Sequence, residues 1–134
     1  MSRWNYRIFC DDAAWDALER LRQSDEAYGV LEEMLESLDL NSYESCQAAL
    51  VAATTVDAIK RGIFNDILVE NENGLDEFTL LIVVNEDLNV DALEISAIQA
   101  LDSLMQKSAL LAQWENDPEF GAWWDNIGRL RARF

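Results

Sequence analysis

Asp11-Asp12-x-x-x-Asp16 and Glu32-Glu33-x-x-Glu36 are the two places where residue types and spacing could do chemistry in this chain. Adjacent carboxylates supply hard oxygen ligands, so the first pattern could hold a magnesium-bound diphosphate and the second could hold metal ions that activate water. The second chemistry also needs another acidic helix with an ExxD pair well downstream. The pair that exists, Glu36 to Asp39, lies within the same helix. With 26 acids against 10 bases such spacings arise by chance, and a helix cap followed by a solvated face accounts for Asp11, Asp12 and Asp16. The expectation is therefore no metal site and no cofactor. Histidine-dependent nucleophilic catalysis is excluded on composition, because without histidine neither a Ser-His-Asp nor a Cys-His arrangement can form. Cys10 has Asp11 and Asp12 beside it, which disfavour its thiolate unless Arg7 compensates. Cys10 and Cys46 are too far apart for a CxxC motif and read as free thiols. The five glycines are scattered and make no phosphate-binding loop. The residues thus predict a protein that is not an enzyme, with no catalytic residues.

Charge narrows the class of partner. The net charge of −16 makes nucleic acid a poor ligand, since phosphate binding needs clustered Lys and Arg. Residues 23–59 hold eight acids and no base, and residues 62–106 hold ten acids and no base. Such a field attracts a basic protein over about a Debye length, ~8 Å at physiological salt. No apolar run and cleavage site follow Arg3 and Arg7, so no secretory signal is expected and the predicted location is cytoplasmic. The longest apolar run, FTLLIVV at 78–84, falls far short of the ~20 residues that cross a bilayer, so no membrane partner is expected.

The elements that must position these groups are mostly helical. Asp11 or Asp12 can cap a first helix over roughly 12–23, with Ala14, Leu18 and Leu21 on its apolar stripe. Asp16 then faces solvent or pairs with Arg20 four residues on. Ser24 or Asp25 offers a second cap, ahead of a stripe of Ala27, Leu31, Leu35 and Leu38. Ser42 opens a third helix that ends at Lys60-Arg61-Gly62, where cations suit the helix dipole and glycine suits the stop. Its stripe of Ala49, Ala52, Ala53, Val56 and Ile59 is small, which lets helix axes come close and marks it as the central helix. Within 63–90 two readings stand. FTLLIVV is either helix or one arm of a short β-hairpin with Ile67-Leu68-Val69 across the Asn-Glu-Asn-Gly turn. From Asp91 a helix runs to about Glu115 through Leu93, Ala97, Leu101, Leu104 and Leu111, and Asp117-Pro118 starts a last one carrying Phe120, Trp123, Trp124, Ile127 and Leu130. Trp114, Trp123 and Trp124 read as core, with any exposed tryptophan an interface candidate. The fold predicted is all-α, a compact antiparallel bundle of five to six helices in a single domain over 1–134.

Trp4, Phe9, Asp12, Ala14, Asp16 and Leu18, together with Lys60-Arg61-Gly62, Ser108-Ala109-Leu110, Trp114-Glu115, Trp123 and the closing Leu130-Arg131-Ala132-Arg133-Phe134, resemble a small bacterial family catalogued only as a domain of unknown function. Members typically open with Trp-Gly-x-Gly-x-Phe. Asn5 and Arg7 stand here at the two glycines, and Arg tolerates positive φ poorly, so the opening loop is expected to follow a different path. Thr54 and Ala109 stand where the family has glutamates, so any chemistry those carried is lacking. The resemblance implies an all-α bacterial cytosolic protein, and some similar small acidic proteins accompany toxins as immunity proteins. Trp4 and Phe9 are expected to anchor on the core.

The functional expectation is an immunity-type protein that binds and neutralises a cognate basic toxin domain. A negative field raises association above the ~10⁵–10⁶ M⁻¹s⁻¹ of uncharged partners. The expected contact region is 66–94, through Glu70, Glu72, Asp76, Glu77, Glu86, Asp87 and Asp91, with apolar anchors from among Leu75, Phe78 and Leu88. The alternative is a stand-alone structural or regulatory helical domain without catalysis. Oligomeric state is not legible in the residues.

Overall fold

The computed structural model describes residues 11–62 and 72–134, except for the side chains of 72–76. Every regular element among the described residues is helical: α1 (Asp12–Gln23), α2 (Ala27–Glu36), α3 (Tyr43–Arg61), α4 (Glu72–Val84), a 3₁₀ turn at Asp91–Leu93, α5 (Glu94–Gln106), α6 (Ala109–Trp114) and α7 (Phe120–Ala132). Trp4, Phe9, Cys10 and Ile67-Leu68-Val69 lie outside the described residues.

The first helix starts at Asp11, whose Oδ1 accepts from the Ala14 amide at 3.0 Å. Its Oδ2 accepts from the Tyr43 hydroxyl and, at 3.0 Å, from Gln47 Nε2, so the cap also ties α1 to α3. Asp11 is fully buried, whereas Asp12 and Asp16 are exposed, and Arg20 reaches Glu33 on α2 at 3.5 Å. Of the two candidate caps, burial and these three donors select Asp11. Asp11→Ala is expected to cost about 1–3 kcal/mol in urea unfolding, and Asp12→Ala about 0.5 kcal/mol or less.

The central helix is α3. It touches α1, α2, α4, α5 and α6, and Cys46, Gln47 and every residue from Ala49 to Ala58 are buried. Ala49, Ala52 and Ala53 are fully covered, as small residues at close helix crossings should be. Ser42 caps it by accepting from the Ser45 amide at 3.2 Å, and Gly62 ends it at φ 90°, a left-handed value that disfavours any residue with a Cβ. Thr54 and Thr55 satisfy their buried hydroxyls by donating to the Leu50 and Val51 carbonyls, each at 2.8 Å.

Of the two readings of FTLLIVV the helix holds: Phe78 and Leu81 share one face and are buried, and the gain from that burial exceeds the few tenths of a kcal/mol each β-branched residue costs in a helix. Three expectations need correction. Neither Ser24 nor Asp25 caps α2; Ser24 Oγ accepts from the Glu26 amide at 2.9 Å in the preceding turn, and the helix begins at Ala27 without a side-chain cap. The helix expected from Asp91 to Glu115 is broken at Lys107-Ser108. Ser108 Oγ donates to the Leu104 carbonyl and accepts from the Leu111 amide, both at 2.9 Å, closing α5 and opening α6. The Ala109 amide donates to Leu40 O at 2.7 Å, which holds the break against the α2–α3 loop. The last helix begins at Phe120, two residues beyond Pro118, after Asp117 Oδ1 accepts from the Glu119 amide at 2.8 Å.

Candidate functional site

The acids predicted to meet a partner divide into groups. Glu70 lies outside the described residues, and Glu72 and Asp76 stand on α4 with side chains that also lie outside them. Glu77 sits 3.6 Å from Arg22 of α1, which is itself held by Glu19 at 2.8 Å. Asp91 is drawn to the end of α3, 2.7 Å from Lys60. Glu86 and Asp87, in the turn after α4, are exposed and have no ion-pair partner among the described residues. Two of the seven are thus paired with cations of the fold, and two are exposed with no such partner among the described residues.

Asp91 belongs to a network at the C-terminus of α3. Lys60 donates to Glu94 at 2.6 Å and Arg61 to Glu94 at 2.5 Å. Arg133 Nε donates to Asp57 at 2.7 Å, and its Nη2 donates to Gly62 O at 2.8 Å. Arg61 lies 3.8 Å from Asp57 and stands over the Phe134 ring at 5.4 Å. Lys60 and Arg61 were assigned only to the helix dipole; their isolation between two base-free acidic runs was the available signal that they gather acids from both sides. The Lys60 and Arg61 hydrogen bonds lower the Glu94 carboxyl pKa, and those of Asp91 and Glu94 raise that of Lys60. A lowered carboxyl pKa means the unfolded chain binds the proton more readily, so the Glu94 contribution is present above its unfolded value and lost as pH falls through the folded one. Accordingly the stability difference between the wild type and Glu94→Gln is expected to be largest near neutrality and to vanish in acid, measured by urea unfolding across pH.

The acid clusters that imitate metal sites separate in space. Asp11 is consumed as cap and cross-link, and Glu32, Glu33 and Glu36 lie along the exposed face of α2, Glu33 beside Arg20. Among the described residues no group of three or more potential ligands could hold a metal ion, and no helix is long and apolar enough to cross a membrane. Cys46 is a free, buried thiol whose pKa burial pushes up, which makes it a poor nucleophile.

Hydrophobic residues alter the picture most. Phe78, an expected anchor, is wholly buried, Leu88 is half-buried, and the side chain of Leu75 lies outside the described residues. Those exposed on α4 are Leu80 at 55%, Val83 at 55% and Val84 at 73%, on its outer face between Glu77 and Glu86, while Ile95 stands exposed apart from them on α5. Beside them a groove of about 390 Å³ runs between α4 and the α1–α2 junction, floored by Leu21 and Leu81 and edged by Asp25 and Asn85. Sequence reading missed this face because FTLLIVV is apolar at six of its seven positions, and which of them turn outward depends on how α4 meets α1 and α3.

These features define an acidic, all-helical domain with a partly apolar outer face. The chain belongs to the family described as a domain of unknown function (DUF4259), whose model matches residues 2–126. No curated protein and no solved structure matches it.

Proposed function

We propose that this chain is an immunity-type protein that binds and neutralises a basic toxin domain in the cytoplasm of the cell that makes both, covering the toxin's active or substrate-binding surface without catalysis of its own. The observation that carries this reading is the pairing of exposed Glu86 and Asp87 with exposed Leu80, Val83 and Val84, within a base-free run of ten acids. Carboxylates speed encounter and can occupy the place of substrate phosphates, while apolar contacts slow dissociation. On this reading the gene should directly follow a toxin gene, and the domain that gene encodes is the partner to test, by surface-immobilised binding. Glu86→Gln with Asp87→Asn is expected to lower the association rate severalfold at low salt and little at high salt. Absence of a complex at micromolar concentration would end this reading. The engagement of Glu77 and Asp91 in internal ion pairs favours the second reading, a stand-alone structural or regulatory domain whose acids serve the fold.

A further inference from the structure

Leu80, Val83 and Val84 follow i, i+3, i+4 spacing and so form one short ridge along α4, with the groove floored by Leu21 and Leu81 running beside it. A ridge with a parallel groove is the surface that another helix packs against. Its surroundings are acidic on balance: the one cation among the groove's lining residues, Arg22, is paired with Glu19 at 2.8 Å and lies 3.6 Å from Glu77. Exposed Asp25 stands on one side, and Glu86 and Asp87 follow the end of α4. The last turn of α4 has no basic residue, so its C-terminal partial negative charge adds to theirs, in contrast to α1, α3 and α7, which end in their own cations. A second copy of the chain would bring the same acids against themselves at a net charge of −16. It would also have to build on one helical turn an interface for which a stable dimer needs about 800 Å² per partner.

We infer that this face receives a basic amphipathic helix of the protein partner: an apolar side chain enters the groove between α4 and the α1–α2 junction, further apolar residues cover Leu80, Val83 and Val84, and flanking Lys or Arg side chains meet Asp25, Glu86, Asp87 and the end of α4. The inference rests on the immunity-type reading and specifies the partner's docking element. The apolar ridge sets the lifetime of the complex, and the acids set the rate and the orientation.

The test uses the full chain and a synthetic helical peptide with leucines at i, i+3, i+4 and i+7 and lysines on both flanks, against a peptide of identical composition whose leucines no longer share a face. The patterned peptide is expected to bind one to one and about tenfold tighter than the scrambled one. Leu80→Gln/Val83→Gln/Val84→Gln should abolish that preference by weakening the patterned peptide about tenfold, with helicity and melting retained because all three positions are exposed. Val84→Gln alone provides a milder variant with the same direction of effect. Ile95→Gln, at an exposed apolar residue on α5, should leave binding unchanged. Equal binding of the two peptides, an undiminished triple variant, or a wild-type dimer that the triple variant dissolves would each overturn the inference. Growth protection separates it from the reading beneath it. If the wild type and the triple variant protect equally against the toxin, the docking face is wrong and the reading stands. If the patterned peptide binds selectively and the wild type gives no protection, the reading is wrong and the face stands.

Discussion

Arg133→Ala is expected to lower stability at neutral pH by about 2–4 kcal/mol. Asp57 is 1% exposed, its Oδ2 accepts from Arg133 Nε at 2.7 Å, and its buried Oδ1 accepts no hydrogen bond from the described residues, with Arg61 standing 3.8 Å away. Removing one partner of a buried pair leaves a charge that water cannot reach, at a cost of about 3–5 kcal/mol; the Arg133 side chain is partly exposed, so some water enters and the figure is reduced. The same change deletes the hydrogen bond to Gly62 O, which closes the end of α3. Burial pushes the Asp57 carboxyl pKa up, against the pull of Arg133 and Arg61. A raised carboxyl pKa means the folded state holds the proton more tightly, so this group favours folding in acid and loses that contribution as pH rises through the folded value, opposite in sign to Glu94. In Arg133→Ala the rise is steeper, because the largest opposing charge is gone. Part of the lost stability should therefore return on going from pH 7 to about pH 5, and Asp57→Asn in the same background should restore part of it at pH 7. Urea unfolding of the wild type and these two variants at both pH values decides it. A loss of less than about 0.5 kcal/mol at pH 7 would show that the pair is dispensable.

Trp123→Ala should cost about 3–5 kcal/mol, and Trp124→Ala roughly 1–2 kcal/mol. Trp123 is 2% exposed and stacks on Trp114 at 5.8 Å with planes 9° apart, while Phe120 lies 6.0 Å from it on the same helix. Trp124 is half-buried and meets Phe120 at 5.7 Å. Truncating Trp123 therefore opens a cavity between α6 and α7, whereas truncating Trp124 mainly returns apolar area to water. Thermal unfolding with each variant checks the order. Equal losses would contradict the placement of Trp123 alone at the centre of the cluster.

The parts of the fold legible in the sequence were those fixed by local chemistry. The small residues of α3, its Ser42 cap and its Gly62 stop each act within a few residues of one another, and all appear as expected. Asp11 and Asp12 could not be told apart, because the choice depends on Tyr43 and Gln47, which are distant in sequence. The break at Ser108 was missed for a related reason. Leu104 and Leu111 are seven residues apart, so apolar periodicity passes straight across it, although Ser108 is a residue type that caps helices. For the candidate site, the run of acids could be counted, but their pairings could not. Glu94 finds Lys60 across 34 positions, and Glu77 finds Arg22 only because α4 lies against α1. Hydrophobicity alone left Leu75, Phe78 and Leu88 as equal candidates for anchors; among them Phe78 is the one wholly buried residue whose side chain is described. Packing against the core buried it and turned Leu80, Val83 and Val84 outward instead.

On the immunity-type reading the gene should directly follow a toxin gene, and growth of a bacterial host expressing that toxin domain, with and without this chain, tests the central claim most directly. The account predicts that the chain restores growth and co-purifies with the toxin in a one-to-one complex, and that Glu86→Lys with Asp87→Lys weakens protection while leaving the fold intact. Arrested growth in the presence of well-folded chain, with no complex recovered, would contradict it.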